Sequence, residues 1–265
     1  MKKVFLFLVS FSLLFGCSED INSDIQTDLL EEADQFFVVS EIVNESSYLG
    51  NFTFGDYFRF SSSSLPGCPV LSLNSQTLEI TLDYNQAVTC EQKNSESRSG
   101  KIILDFSQAN TDNPTWILIY EGYTFQNTKI DGQRFFKRLS NSQNSETFEN
   151  LKITTEKNLG FTLKGNYTYF LSRFNFRPFG ISYVGKHEGT NPAGRNFIQS
   201  ITEAKELYIS CYSEGYTLPE KGKENWKVSR GTTDLNYAVS YLSTQECSIQ
   251  VKAMLPDGRT LDLQP

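Results

Sequence analysis

The chain has 265 residues, with 31 acidic against 24 basic side chains for a net charge of −7, and 14% of its residues are aromatic. A net negative surface is repelled by phosphates, which argues against nucleic acid and anionic headgroups as partners. The single histidine, His187, excludes any histidine-paired metal site and leaves one imidazole for proton transfer.

The first residues are Met1, Lys2 and Lys3, followed by an apolar run over 4–15 interrupted only by Ser10 and Ser12. A basic start and an apolar core of this length predict a secretory signal over 1–16. The run is shorter than the ~20 residues a membrane-spanning helix needs, and no later stretch is a better candidate. "LFGC", ending at Cys17, resembles the lipobox of bacterial lipoproteins. The resemblance implies cleavage before Cys17, a diacylglyceryl group on its sulfur and an amide-linked third chain. That is enough for stable anchoring, which takes about two chains. Gly16 and Leu14 suit the peptidase; Phe15 is bulkier than the usual residue at its place. An ordinary cleaved signal with an incidental cysteine is the alternative. Losing Lys2 and Lys3 with the signal leaves 22 basic against 31 acidic side chains, a net of −9. The "SED" after Cys17 resembles the acidic export signal of Bacteroidetes lipoproteins, which implies an outer-membrane anchor facing the cell surface. A solvated tether facing the periplasm is the alternative.

Residues 17–27 are expected to form an acidic tether: residues 18–34 hold seven acidic side chains and no Lys or Arg. A helix is expected over 28–45. Asp28 and Glu31 have capping-box spacing, and Leu29, Ala33, Phe36 and Phe37 share a helical face that extends toward Ile42. "VNESSYLGN" is expected to end it, and no other helix is predicted.

From about residue 52 the apolar period becomes two. "LEITLDY" sets Leu78, Ile80, Leu82 and Tyr84 against Glu79, Thr81 and Asp83, the pattern of a strand with one wet face. "KIILDF" and "WILIYEGYTF" are rich in β-branched and aromatic residues. Residues 151–176 predict at least two strands broken near Asn158. Turns are expected at "IDGQ" (from Ile130), "GTNPAGRNF" (from Gly189) and "LPDGRTLDL" (from Leu255). The polar joins at 91–99 and 140–150 read as hairpin loops. The fold class expected is all-β: an antiparallel β-sandwich or barrel-like sheet with one short N-terminal helix. The body, 52–265, could be one domain or two similar β units, 52–139 and 150–265. An echo between "CPVLSL…LEITLDYNQAVTC…SGKIILDF" and "CYSEGYTL…TTDLNYAVSYLSTQEC…DGRTLDL" suggests the second.

Cys68, Cys90, Cys211 and Cys247 are an even set in an exported chain, which predicts disulfides. Of three pairings, the local one, Cys68–Cys90 with Cys211–Cys247, is preferred. A zinc site would need closely spaced ligand pairs, which these cysteines lack. The order of "CP", "ITLDY", a second cysteine and "RSGKIILDF", continued by "YEGYTFQNTKIDG", "GTNPAGRNF" and "LPDGRTLDL", resembles a family of Bacteroidetes lipoproteins without an assigned activity. The resemblance covers about Cys68 to Leu263 and implies an exported β-rich lipoprotein.

Catalytic motifs are missing. "GISYVG" has one residue too many after its serine for a nucleophile elbow, and no phosphate-binding glycine loop or dinucleotide fingerprint occurs. "DGRTLDLQ" lacks the oxygen ligands of a calcium loop. His187, beside Lys186 and Glu188, is expected on the surface. No cofactor or metal is called for. The aromatic excess is the one functional signal: "NYTYFLSRFNFRPF" is densest, and Tyr167, Tyr169, Arg173 and Phe174 are the candidate binding surface, with Phe176 and Phe179 beside them. The expected function is a non-catalytic, membrane-anchored surface module for a glycan or a protein partner. The alternatives are a carboxylate-based hydrolase of an exported polymer or a structural envelope component.

Overall fold

A computed structural model describes residues 29–86, 90–92 and 94–264. The signal peptide, the lipidation site Cys17, the tether and Asp28 lie outside them. Three helical segments come first: α1 (Leu29–Glu45), α2 (Ser47–Asn51) and α3 (Phe54–Tyr57). Thirteen strands follow: β1 (Val70–Asn74), β2 (Glu79–Asp83), β3 (Arg98–Asp105), β4 (Thr115–Phe125), β5 (Thr128–Ser140), β6 (Gln143–Thr154), β7 (Gly160–Phe174), β8 (Arg177–Thr190), β9 (Asn196–Tyr208), β10 (Lys221–Arg230), β11 (Thr233–Gln245), β12 (Ser248–Met254) and β13 (Thr260–Leu263). A short helix, α4 (Ile209–Ser213), separates β9 from β10. The strands form one antiparallel sheet in sequence order, so the all-β expectation holds.

The sheet curls around α1. Eleven of that helix's 17 residues are buried, on every side of it. Its polar groups and those of α2 bond to strands far apart in the sheet. Glu45 meets Arg98 and Tyr123, Ser47 meets Arg134 and Tyr169, and Ser40 meets Lys205, Glu224 and Tyr241. Only a sheet wrapped around the helix brings β3 and β11 to the same rod. α1 enters beside the ends of β8 and β10, where Glu32 pairs with Arg195 and Arg230, and α2 leaves toward the opposite end. There Trp116 donates 2.6 Å to the Gly50 carbonyl, and a Cβ on Gly50 would lie 2.2 Å from the Phe136 ring.

Several expectations need correction. α1 ends at Glu45, within "VNESSYLGN" as expected, but it is not the one helix: α2 follows directly after Ser46, and α3 and α4 were not foreseen either. α3 carries its own capping box, Thr53 with Asp56. The join at 140–150 is mostly strand β6, paired with β5 and β7, so the sheet runs unbroken through it. Its inward residues include Asn144 and Glu146, buried polar groups that hide the apolar period. "IDGQ" is no turn. Gly132 (φ 131°) sits within β5 at a bulge, and the chain reverses at Gln126–Asn127, both at positive φ. The turns at Asn191–Arg195 and Leu255–Arg259 form as expected.

Both disulfides join as preferred, Cys68–Cys90 and Cys211–Cys247. Each spans one hairpin near an end of the sheet, β1–β2 and β10–β11. The Gln92 side chain donates to the carbonyls of Ser63, Leu65 and Ser213, tying the two regions together across the opening of the curl.

Candidate functional site

Three regions could carry chemistry: the polar interior, a cleft on the outer face of the sheet, and one aromatic end. Ionic groups fill the interior. Arg134, fully buried, donates Nε–H to Glu146 Oε1 (2.5 Å) and Nη2–H to Glu146 Oε2 (2.9 Å). It also donates to the Val43 carbonyl, near the C-terminus of α1, and to the hydroxyls of Ser46, Tyr120 and Ser47. Tyr169 donates to the same carboxylate at 2.6 Å. Burial works against the Glu224 carboxyl's charge, yet Lys205 (2.8 Å), Tyr241 and Ser40 together hold it below its usual range.

His187 is corrected from surface to interior: it is 2% exposed, and burial pushes it down to about 4. The Gln199 amide donates to the Phe36 carbonyl, so its oxygen accepts from His187 Nε2–H. Nδ1 is then the acceptor for the Tyr167 hydroxyl at 2.6 Å. A neutral imidazole with both nitrogens engaged is a structural strut.

The aromatic platform expected of Tyr167 and Tyr169 is also corrected. They share a face, but it is the inner one, and both are buried. Along β7 the odd residues Phe161, Leu163, Tyr167 and Tyr169 point into the core, while Thr162, Lys164, Asn166 and Phe170 face out. Extending the two-residue period back to Phe161 would have shown this.

The outer cleft, about 450 Å³, crosses β6 to β9 and includes Glu149, Lys164 and Glu188. Lys164 (3.0 Å) and Lys186 (3.5 Å) hold the Glu188 carboxyl below its usual range. A carboxyl kept ionised there is the wrong state for the general acid of sugar hydrolysis.

The third region is where the predicted segment does emerge. At the β7–β8 hairpin tip, Phe174 is 70% and Phe176 87% exposed; Phe179 (52%) and Phe58, at the end of α3 (61%), lie beside them. Phe174 pairs with Arg177, so the reversal is the two-residue loop Asn175–Phe176, with φ of 48° and 62°. Glycine is the residue such a loop prefers at its second place, and a bulky side chain there is uncommon. Neither backbone preference nor burial accounts for Phe176. The loop is clamped: Arg59 and Arg173 both donate to the Phe176 carbonyl at 3.4 Å. Arg173 also grips Asp56 through two bonds of 2.9 and 2.7 Å. Burial alone would raise the Asp56 carboxyl, but Arg173 and Thr53 bring it below its usual range.

Beside the tip lies a cleft of about 440 Å³, lined by Phe52, Phe106, Trp116, Arg138, Leu171 and Arg173 among others. The end therefore combines exposed phenylalanines, a cleft of mixed lining whose wall also includes Asn51, Thr53, Asn141 and Asn144, and the arginines Arg59, Arg138, Arg173 and Arg177, of which Arg173 is paired with Asp56. Phe58, Arg59 and Arg138 were missed in the sequence; no local pattern ties them to residues 173–179.

Compared with protein-family models, with curated proteins and with solved structures, the chain matches none.

Proposed function

We propose that the chain is an exported lipoprotein, anchored through Cys17 in the outer membrane and facing the cell surface, whose β body presents the phenylalanine end to a protein partner. The observation that carries the binding reading is Phe176: a large apolar side chain, 87% exposed, at a backbone position that disfavours it and held by two arginines. Residues that break a local rule with no folding gain mark functional positions. The two disulfides support an oxidising compartment. Among the described residues no helix is long and apolar enough to cross a membrane, in keeping with attachment by lipid.

The partner chemistry follows from the surface. Exposed phenylalanines beside a cleft that has Phe52, Phe106 and Trp116 in its wall call for apolar anchors, and the arginines Arg59, Arg138 and Arg177 around them call for an acidic rim. The position favours a protein over the protein's own membrane. The tether enters at Leu29, and α1 with α2 rises roughly 34 Å at 1.5 Å per residue before the chain reaches the tip. The tip therefore points away from the anchored end.

Two experiments test this. Labelled palmitate should enter the wild-type lipoprotein and not Cys17→Ala; label in both would remove the anchor. A phage-displayed peptide library panned on the β body should enrich apolar sequences flanked by Asp or Glu, with enrichment lost on a Phe174→Ser, Phe176→Ser variant. Equal enrichment on both proteins would overturn the site. So would tip-dependent sedimentation with phosphatidylglycerol vesicles, tip-dependent capture on a glycan array, or tip-dependent self-association, each naming a different occupant.

A further inference from the structure

The cleft beside the tip holds a cation without a counter-charge. Along β5 the inward residues run Arg134, Phe136 and Arg138, and along β6 Asn144, Glu146 and Phe148. Arg134 meets Glu146, but Arg138 pairs across the strands with Asn144, a neutral amide. Residues opposed on one face of a sheet have Cβ atoms about 5 Å apart, so the two side chains enter the cleft together. Asp56 does not serve Arg138: both of its oxygens take bonds from Arg173, and one also takes the Thr53 N–H. Among the described residues Arg138 makes no ion pair, and its guanidinium no hydrogen bond, although it is half-buried. A guanidinium drawn partly out of water favours an anion beside it.

Asn144 supplies the complementary group. Asn51 Nδ2–H donates to the Ser47 carbonyl at 2.8 Å, so Asn51 Oδ1 is an acceptor and takes Asn144 Nδ2–H at 3.0 Å. This relay fixes the Asn144 amide. Asn144 is 5% exposed, and its Oδ1 has no donor among the described residues, yet it is not sealed off and opens on the cleft. The apolar part of the wall is equally fixed. Trp116 lies between Phe106 (6.0 Å) and Phe136 (5.8 Å) in a stack, and its indole N–H is taken by the Gly50 carbonyl. The rings therefore offer apolar surface and no donor, in place before a ligand arrives.

The cleft thus asks for three things at once: an apolar body for the rings, one negative charge for Arg138 and one N–H for Asn144 Oδ1. The last residue of a polypeptide carries all three on a single Cα, as side chain, carboxylate and backbone N–H. An internal Asp or Glu brings the charge but no apolar body. A phosphate brings up to two charges to one free guanidinium, and no N–H. We propose that this cleft captures the C-terminal residue of the protein partner, an apolar residue whose carboxylate binds Arg138 and whose N–H donates to Asn144. The assignment rests on the reading of this end as a protein-binding surface and names the part of the partner that enters. Phe174, Phe176, Arg59 and Arg177 are then left for the residues that precede it.

The test is an array of peptides with four randomised C-terminal residues, each synthesised as free acid and as amide and probed with the purified chain. Free acids ending in Phe, Leu or Trp should be retained, and amidation should weaken retention about tenfold or more, the loss of a charge-assisted contact. This comparison needs no variant. Arg138→Gln should bind acid and amide alike. Decanoate, which has an apolar body and a carboxylate but no N–H, should compete about tenfold less well than N-acetylphenylalanine. Equal retention of acid and amide by wild type would overturn the C-terminal assignment, and if that retention still fell with Phe174→Ser, Phe176→Ser the reading of the tip would stand without it. A preference for the acid that survives in Arg138→Gln would overturn the role of Arg138, and decanoate competing as well as N-acetylphenylalanine would overturn the peptide as occupant.

Discussion

The interior around α1 and the tip of the β7–β8 hairpin invert the usual partition of a soluble protein in opposite ways. Inside, Arg134, Glu146, Lys205, Glu224 and His187 are withdrawn from water; at the tip, Phe174 and Phe176 are given to it. The interior inversion is compensated, because nearly every charge meets an opposite charge or a hydroxyl at hydrogen-bond distance. The tip inversion is compensated by nothing within the chain. Buried polar groups with full partners are structure, whereas exposed aromatics on a strained turn ask for something outside. The exception inside is the Glu45–Arg98 contact, 3.6 Å long, where Glu45 Oε1 and Arg98 Nη2 are buried without a hydrogen bond.

The sharpest way to break the contrast is Arg134→Met. It leaves Glu146 buried without its bidentate partner and should cost about 3–5 kcal/mol in denaturant unfolding. Replacing both partners, Arg134→Met with Glu146→Leu, should recover much of that loss. A single-variant loss below ~1 kcal/mol would mean water already reaches the pair, and the interior would no longer count as closed.

A pH series sharpens the same side. His187 is neutral when folded, with its pKa depressed to about 4, while the unfolded chain takes up its proton near 6.5. The stabilisation is complete above pH ~6.5 and is lost as pH falls toward 4, by up to about 3 kcal/mol at 1.36 kcal/mol per unit. Against a His187→Gln variant, which binds no proton, the wild-type advantage should shrink over that interval. A constant difference between pH 7 and pH 4.5 would place the imidazole in contact with solvent.

The smallest effect belongs to the tip. Phe176→Gly removes a bulky side chain from a positive-φ position and should stabilise the fold by about 1 kcal/mol, visible as a Tm that rises while peptide enrichment disappears. If Tm falls instead, the Phe176 ring supports the fold and the comparison with the interior collapses.

Much of this molecule was legible from the chain. Alternation in "LEITLDY" and the β-branched richness of "KIILDF" gave strands whose inward residues, Ile80, Leu82, Ile102 and Leu104, are all fully buried. Cysteine spacing gave the pairing, because each local bridge closes over a single hairpin. β6 escaped because its inner face carries Asn144 and Glu146, and a period-two signal counts apolar residues only. Of the aromatic segment, Phe174, Phe176 and Phe179 are exposed, but Tyr167 and Tyr169 face the core, since Tyr serves both a wet platform and a polar core.

Composition and period determined that the chain would form a long antiparallel β body with a helix at its start, because these are properties of neighbouring residues. That the sheet would roll around the helix was decided in three dimensions. So were the meeting of Ser40 with Lys205 and Glu224, of Arg59 with Phe176, and of Arg134 with Val43. Each of these contacts joins residues tens to nearly two hundred positions apart. A partner at that distance leaves no periodicity for a local reading to find.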